Sequence, residues 1–300
     1  MRRPDLFIVG APRCGTTSLW SYLKEHPDIF MSAEKELYFF DSDLRPNGWK
    51  APSLEQYLLN FAAAGNRKVV GEATPSYLRS GRAPGEIKAF NPEARIVIML
   101  RNPVDVMHSL HSSALYSREP IADFEAAVAA DASRTGAACI GYRDFADFPR
   151  QVQSYIDLFG RDHVHTIIFD DLKENPGRVY QNTLRFLRVG LGFAPEFTIV
   201  NANANVRYLG LQRNVARPPG VLRNIARALL PRRLRSRIQR SLLDSNLVTK
   251  PRALMDPALR RRLQKEFEPQ VEQLSKLLDR DLSAWCLESG EATGAGTPKA

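Results

Sequence analysis

The apolar and polar positions divide the chain into short, uniformly apolar runs and longer amphipathic ones. Residues 5–10, 68–72, 95–100 and 164–169 read as strands, each a brief apolar run bounded by charges or turn formers. Between and after them, apolar residues recur with a helical period at about 16–26, 104–117, 148–159 and 176–189, and again at 257–278. A uniformly apolar strand is buried on both faces, so this alternation predicts an α/β fold, a central parallel sheet with helices on both faces. In such sheets ligands bind beyond the carboxyl ends of the strands. Three stretches fall on that rim: residues 10–17, residues 72–74 and Arg101.

Composition narrows the class. The 300 residues, 44% hydrophobic and 25% charged, suit one large globular domain or a domain with an insertion. The cysteines are odd in number and scattered (Cys14, Cys139, Cys286), which argues against a disulfide framework and for a reducing compartment. Residues 1–4 lead straight into the first strand without an apolar leader, and no apolar run approaches the roughly 18 residues that span a bilayer.

The chemistry concentrates where the first strand ends. Phe7-Ile8-Val9-Gly10 runs into Ala11-Pro12-Arg13-Cys14-Gly15, and Thr16-Thr17-Ser18 then opens a helix. A strand, a tight turn and a helix N-terminus aim backbone N–H groups and a helix dipole at one point, which makes an anion site. Gly10 and Gly15 have the spacing of the nucleotide-triphosphate loop G-x-x-x-x-G-K-S/T, but its Lys position holds Thr16. The later strand 95–100 ends in Arg101 rather than in a magnesium-holding carboxylate. A cation there points to a ligand with a second anionic group and no need for a metal. A P-loop kinase or NTPase stays as a minor alternative.

Four segments carry a family resemblance. Residues 10–18 resemble the 5′-phosphosulfate loop, usually G-x-P-K-x-G-T-T/S, of sulfotransferases that use 3′-phosphoadenylyl sulfate (PAPS). Arg101-Asn102-Pro103-Val104-Asp105 with Ser109 resembles the 3′-phosphate motif. Lys35-Glu36-Leu37-Tyr38-Phe39-Phe40 is similar to K-E-x-H-F-F of the carbohydrate (heparan-type) and bacterial branch, and Phe169-Asp170-Asp171-Leu172-Lys173-Glu174-Asn175-Pro176 to a late strand-to-helix junction. They stand in family order over residues 5 to about 190. The resemblance implies a P-loop-like three-layer fold, PAPS as co-substrate with PAP as product, no metal, and transfer of a sulfuryl group to a hydroxyl, or else an amine, of a carbohydrate, glycolipid or secondary metabolite. Golgi members carry a membrane anchor, so the sequence leads to the expectation of a cytoplasmic, bacterial enzyme. The competing reading is a relative that binds PAP or PAPS without catalysis.

Each role has a candidate. Cys14, Gly15, Thr16, Thr17 and Ser18 are assigned to the 5′-phosphate through backbone N–H groups and hydroxyls; the alternative is that the hydroxyls merely cap the helix. Arg13 stands where the family usually has Lys. Its pKa above about 12 makes proton donation poor, so stabilisation of the leaving phosphate by charge is expected. Arg101 and Ser109 are assigned to the 3′-phosphate, because residues eight apart fall close to one helix face. By resemblance Glu36 is the base that activates the acceptor, with His108 and His111 as rivals. Tyr38 replaces the usual His. Lys35, Glu72 and Thr74 are assigned by resemblance to the acceptor side, and Arg207 to closing over the cofactor.

The C-terminal third differs in character. Residues 207–262 hold fifteen Arg or Lys against two Asp, in a chain of net charge +9. We read 1–285 as one domain with a basic helical insertion or lid at 202–258, and 286–300 as a disordered tail. The basic segment is a solvated face, a lid over anionic ligands, or, at 217–252, a contact for acidic lipid. Nucleic acid ranks last as a partner, since stacking aromatics are nearly absent there. The stretches expected to touch the acceptor, 41–61, 112–140 and the basic stretch after Asn201, carry no readable motif.

Overall fold

The computed structural model describes residues 2–45, 48–115, 119–131, 133, 140–198, 204–206, 247–249 and 254–287. The elements in chain order are β1 (Leu6–Gly10), α1 (Thr16–Glu25), β2 (Ile29–Met31), α2 (Leu54–Leu58), β3 (Val69–Ala73), α3 (Ala83–Phe90), β4 (Arg95–Leu100), α4 (Pro103–Ala114), α5 (Phe124–Asp131), α6 (Tyr142–Phe145), α7 (Phe148–Phe159), β5 (Val164–Ile168), α8 (Phe169–Glu174), α9 (Pro176–Leu187), β6 (Ala204–Val206), β7 (Leu247–Thr249) and α10 (Pro257–Leu278). Contacts group the chain into two compact units, one of Met1–Met107, Arg143–Val200 and Pro257–Ala300, the other of His108–Tyr142 and Asn201–Asp256.

The first unit holds a five-stranded sheet, ordered β2-β3-β1-β4-β5, in which every pairing is parallel. Leu6, Phe7, Ile8 and Val9 are all fully buried, and successive side chains of a strand point to opposite faces. Both faces of the sheet centre are therefore covered, the α/β arrangement expected from the uniform runs. The four expected strands form within a residue of their expected bounds. β2 was not expected, because three residues are too few to show a pattern. Asn175 caps α9 by accepting from the Arg178 N–H at 2.8 Å. α10 buries Leu259, Leu263, Phe267, Val271 and Leu274 and packs against α7. None of the described helices is long and apolar enough to cross a membrane.

In the second unit, Asp131 at the end of α5 accepts from the backbone N–H groups of Ile140 (2.7 Å), Gly141 (3.0 Å) and Tyr142 (2.9 Å). Glu119 accepts from the Tyr142 hydroxyl at 3.0 Å. β6 and β7 pair antiparallel. Arg207, most of the basic segment including nearly all of 217–252, and the end of the tail from 288 lie outside the described residues.

Candidate active site

β1, β3 and β4 are neighbours and run parallel, so the turns that leave their carboxyl ends share one rim of the sheet. The turn after β1 depends on two glycines. A Cβ on Gly10 would lie 2.5 Å from the Leu78 Cβ and 2.8 Å from the Pro75 carbonyl oxygen. Gly15 has φ +88°, and its Cβ would sit 2.8 Å from a methyl carbon of Leu172. The turn is thereby pressed against the segments that carry Pro75, Leu78 and Leu172, with Gly15 as the N-cap of α1.

No side chain caps α1. The hydroxyls of Thr16, Thr17 and Ser18 do not serve as its cap, and the first-turn N–H groups are left to other acceptors. Cys14 is fully buried, and burial pushes its thiol up to about 12. Only its backbone is suited to meeting an anion. Arg13 is exposed, with φ +67°.

Residues 35–39 are pinned to the end of β3. The Glu36 N–H donates to the Ala73 carbonyl at 3.0 Å, the Leu37 N–H to Thr74 Oγ1 at 3.0 Å and the Phe39 N–H to the Tyr77 hydroxyl at 2.9 Å. Glu36 is exposed, with φ +63°, and its Oε2 accepts from the Tyr38 hydroxyl. The Arg45 guanidinium lies 4.0 Å from the centre of the Tyr38 ring and is itself bound to the fully buried Asp41. Arg13, Glu36 and Tyr38 are three of the five non-glycine residues with left-handed backbone among the described residues. Such backbone costs roughly 1–3 kcal/mol per residue and tends to cluster at functional sites.

Lys35 is half-buried and donates from Nζ to Thr17 Oγ1 at 2.9 Å and to Thr16 Oγ1 at 3.4 Å. Its ammonium therefore stands on the phosphate-type turn. Glu72 and Thr74, assigned to the acceptor side, have no exposed surface. Glu72 accepts from Thr74 Oγ1 at 2.6 Å, the Tyr57 hydroxyl at 2.6 Å and the Tyr77 hydroxyl at 3.3 Å. This knot supports residues 36–39 from beneath. The sequence did not reveal Tyr57, Tyr77 or Asp41, because their roles depend on contacts between segments far apart in the chain.

Burial pushes Glu72 up to about 7, and the three hydroxyl bonds offset only part of the rise. The folded chain then holds this proton more tightly than the unfolded chain. The stability that follows is full below the ordinary value of 4.5 and is lost as pH rises through about 7. Glu72→Gln is expected to remove that dependence. The stability gap between wild type and variant, measured by denaturant unfolding across this range, should fall by on the order of 3 kcal/mol as pH rises.

Arg101, at the end of β4, is half-buried beneath the ring of Phe169, 5.0 Å from its centre. One terminal nitrogen lies 3.4 Å from Asp105, whose other oxygen is bound by Arg260. The buried Arg101 Nε has no hydrogen-bond partner among the described residues. A buried donor left unpaired is costly, and a bound anion would satisfy it. Ser109 is buried on α4 within the second unit. In that unit His111 is bonded to the Ile121 carbonyl at 3.0 Å, and the rings of His108 and His111 pack against Phe124.

Residues 3–205 match the sulfotransferase domain model. The chain belongs to the sulfotransferase domain family. The chain is 34% identical over 104 residues to the membrane-associated sulfotransferase kil1 of Dictyostelium discoideum, a match covering 34% of this chain and 21% of that protein. It is 25% identical over 203 residues to the bifunctional heparan sulfate N-deacetylase/N-sulfotransferase 1 of Caenorhabditis elegans, covering 65% of this chain and 22% of that one. The matches thus span about a fifth of these curated relatives. Among solved structures, a sulfotransferase from Alicyclobacillus acidocaldarius is similar with a TM-score of 0.72 and 27% identity, covering 95% of this chain and 99% of that one. The sheet described above is thus the sulfotransferase fold. The matched range includes the turn, residues 35–40, β3 and Arg101, and it leaves out α10 and most of the basic segment.

Proposed function

We propose that this sulfotransferase-family chain moves a sulfuryl group from PAPS to a hydroxyl of a carbohydrate-type acceptor by in-line displacement. The observation that carries this reading is the content of one sheet rim. An uncapped helix N-terminus follows β1, an Arg with an unpaired buried Nε follows β4, and Glu36, on left-handed backbone, is bonded through its backbone N–H to the end of β3. The turn and Arg101 suit the two separated phosphates of PAPS, with Thr17 and Ser18 at the sulfuryl-bearing end. PAPS supplies the sulfuryl group; the protein positions the reactants and stabilises charge. Glu36 takes the proton of the attacking hydroxyl. Arg13 stabilises the leaving phosphate. The names of the relatives, which include a heparan sulfate N-sulfotransferase, favour a carbohydrate acceptor.

Incubation with 35S-labelled PAPS and a panel of carbohydrate and glycolipid acceptors tests the reading, which expects label on an acceptor. Arg101→Ala is expected to weaken PAP binding by calorimetry about 10- to 100-fold, the value of a charge-assisted phosphate contact. Unchanged affinity would take Arg101 out of the phosphate site.

A further inference from the structure

Lys35 is not where an acceptor-binding residue would be expected. Its Nζ is bonded to Thr17 and near Thr16, the two hydroxyls of the turn assigned to the 5′-phosphate. Among the described residues it forms no ion pair. The charged group that registers on it is Glu36, its neighbour in sequence, while α1 faces it with hydroxyls alone. Burial lowers its proton affinity below the ordinary value of 10.5, and Glu36 recovers only part of the loss.

Sulfuryl transfer leaves charge on the oxygen that parts from sulfur, and a proton donor there lowers the barrier. Arg13 cannot readily supply that proton, because its guanidinium stays charged and keeps its proton throughout the working range. We infer that Lys35 is the general acid of the transfer, giving the proton that Arg13 cannot give. This rests on the proposed function above.

As the bond between sulfur and the bridging oxygen breaks and the bond between sulfur and the acceptor oxygen forms, one Lys35 N–H proton passes to the leaving oxygen. The electron pair of the broken bond stays on that oxygen. The acceptor proton passes to Glu36. Neutral Lys35 and protonated Glu36 then exchange a proton through solvent, restoring both groups. No oxidant, reductant or metal enters the balance. Arg13 and Lys35 divide two tasks, charge and proton, that a single loop Lys can perform together.

The test is Lys35→Arg, which keeps the charge and removes the transferable proton. With labelled PAPS and a working acceptor, kcat should fall by about 100-fold or more, while PAP affinity by calorimetry changes less than about threefold. The wild-type kcat should decline on a basic limb that begins below pH 10.5, and that limb should disappear in the variant. A variant that keeps wild-type kcat, or an unchanged basic limb, overturns the inference and leaves the proposed function standing. Failure of the wild type to bind PAP or move label overturns the proposed function instead. Should Lys35→Arg fail to fold, the wild-type profile decides alone: a flat rate up to pH 10.5 overturns the inference, and a basic limb below it supports it.

Discussion

Glu36→Gln is expected to lower kcat for sulfuryl transfer by about 10²–10⁴-fold while leaving PAP binding intact, the range a general base contributes. The substitution is nearly isosteric. Gln can still accept from the Tyr38 hydroxyl, and the backbone bond from residue 36 to Ala73 does not involve the side chain. What Gln cannot do is take a proton. Initial rates with labelled PAPS, paired with calorimetry of PAP, separate the two effects. A parallel loss of PAP affinity would make Glu36 part of the binding framework and not the base. The left-handed backbone at Glu36 and Tyr38 supports the catalytic reading, because such backbone tends to cluster at functional sites.

Arg13→Ala is expected to lower kcat by about 10²–10³-fold, the scale of removing one donor from a developing oxyanion. Arg13→Lys restores the residue usual in the family and should retain most of the rate. The comparison is informative because Arg and Lys differ in proton donation and in shape, while both supply charge. If Lys35 gives the proton, the Lys at position 13 has only charge to supply and the loss stays below tenfold. Arg13→Ala with wild-type turnover would show that the turn needs no cation from this position. Steady-state rates for both variants, with PAP affinity as the control, make the measurement.

The parallel sheet was legible because burial on both faces leaves a uniform apolar run, as in β1 and β4. The turn after β1 was legible because Gly10 and Gly15, spaced before Thr16-Thr17-Ser18, form a local pattern, and the structure adds the close contacts with Leu78, Pro75 and Leu172 that a Cβ there would meet. Segments that act through tertiary contact were harder to read. Tyr57 on α2 carries no local signal, and its role appears only when its hydroxyl meets Glu72. Glu72 itself was assigned by resemblance to the acceptor side, whereas its carboxylate lies wholly buried beneath residues 36–39. Lys35 shows the same limit: two adjacent residues, Lys35 and Glu36, face different partners, one the turn after β1 and the other Tyr38. The sequence places both on one segment, but only the fold separates their directions.

In the proposed reading, the turn after β1 and the cation after β4 hold a nucleotide with two separated phosphates. Calorimetric titration of the wild-type chain with PAP, without metal, and with ATP in the presence and absence of magnesium tests it most directly. Micromolar-range PAP binding that needs no magnesium is expected, with weaker binding of ATP. No PAP binding, or magnesium-dependent ATP binding tighter than that of PAP, would contradict it.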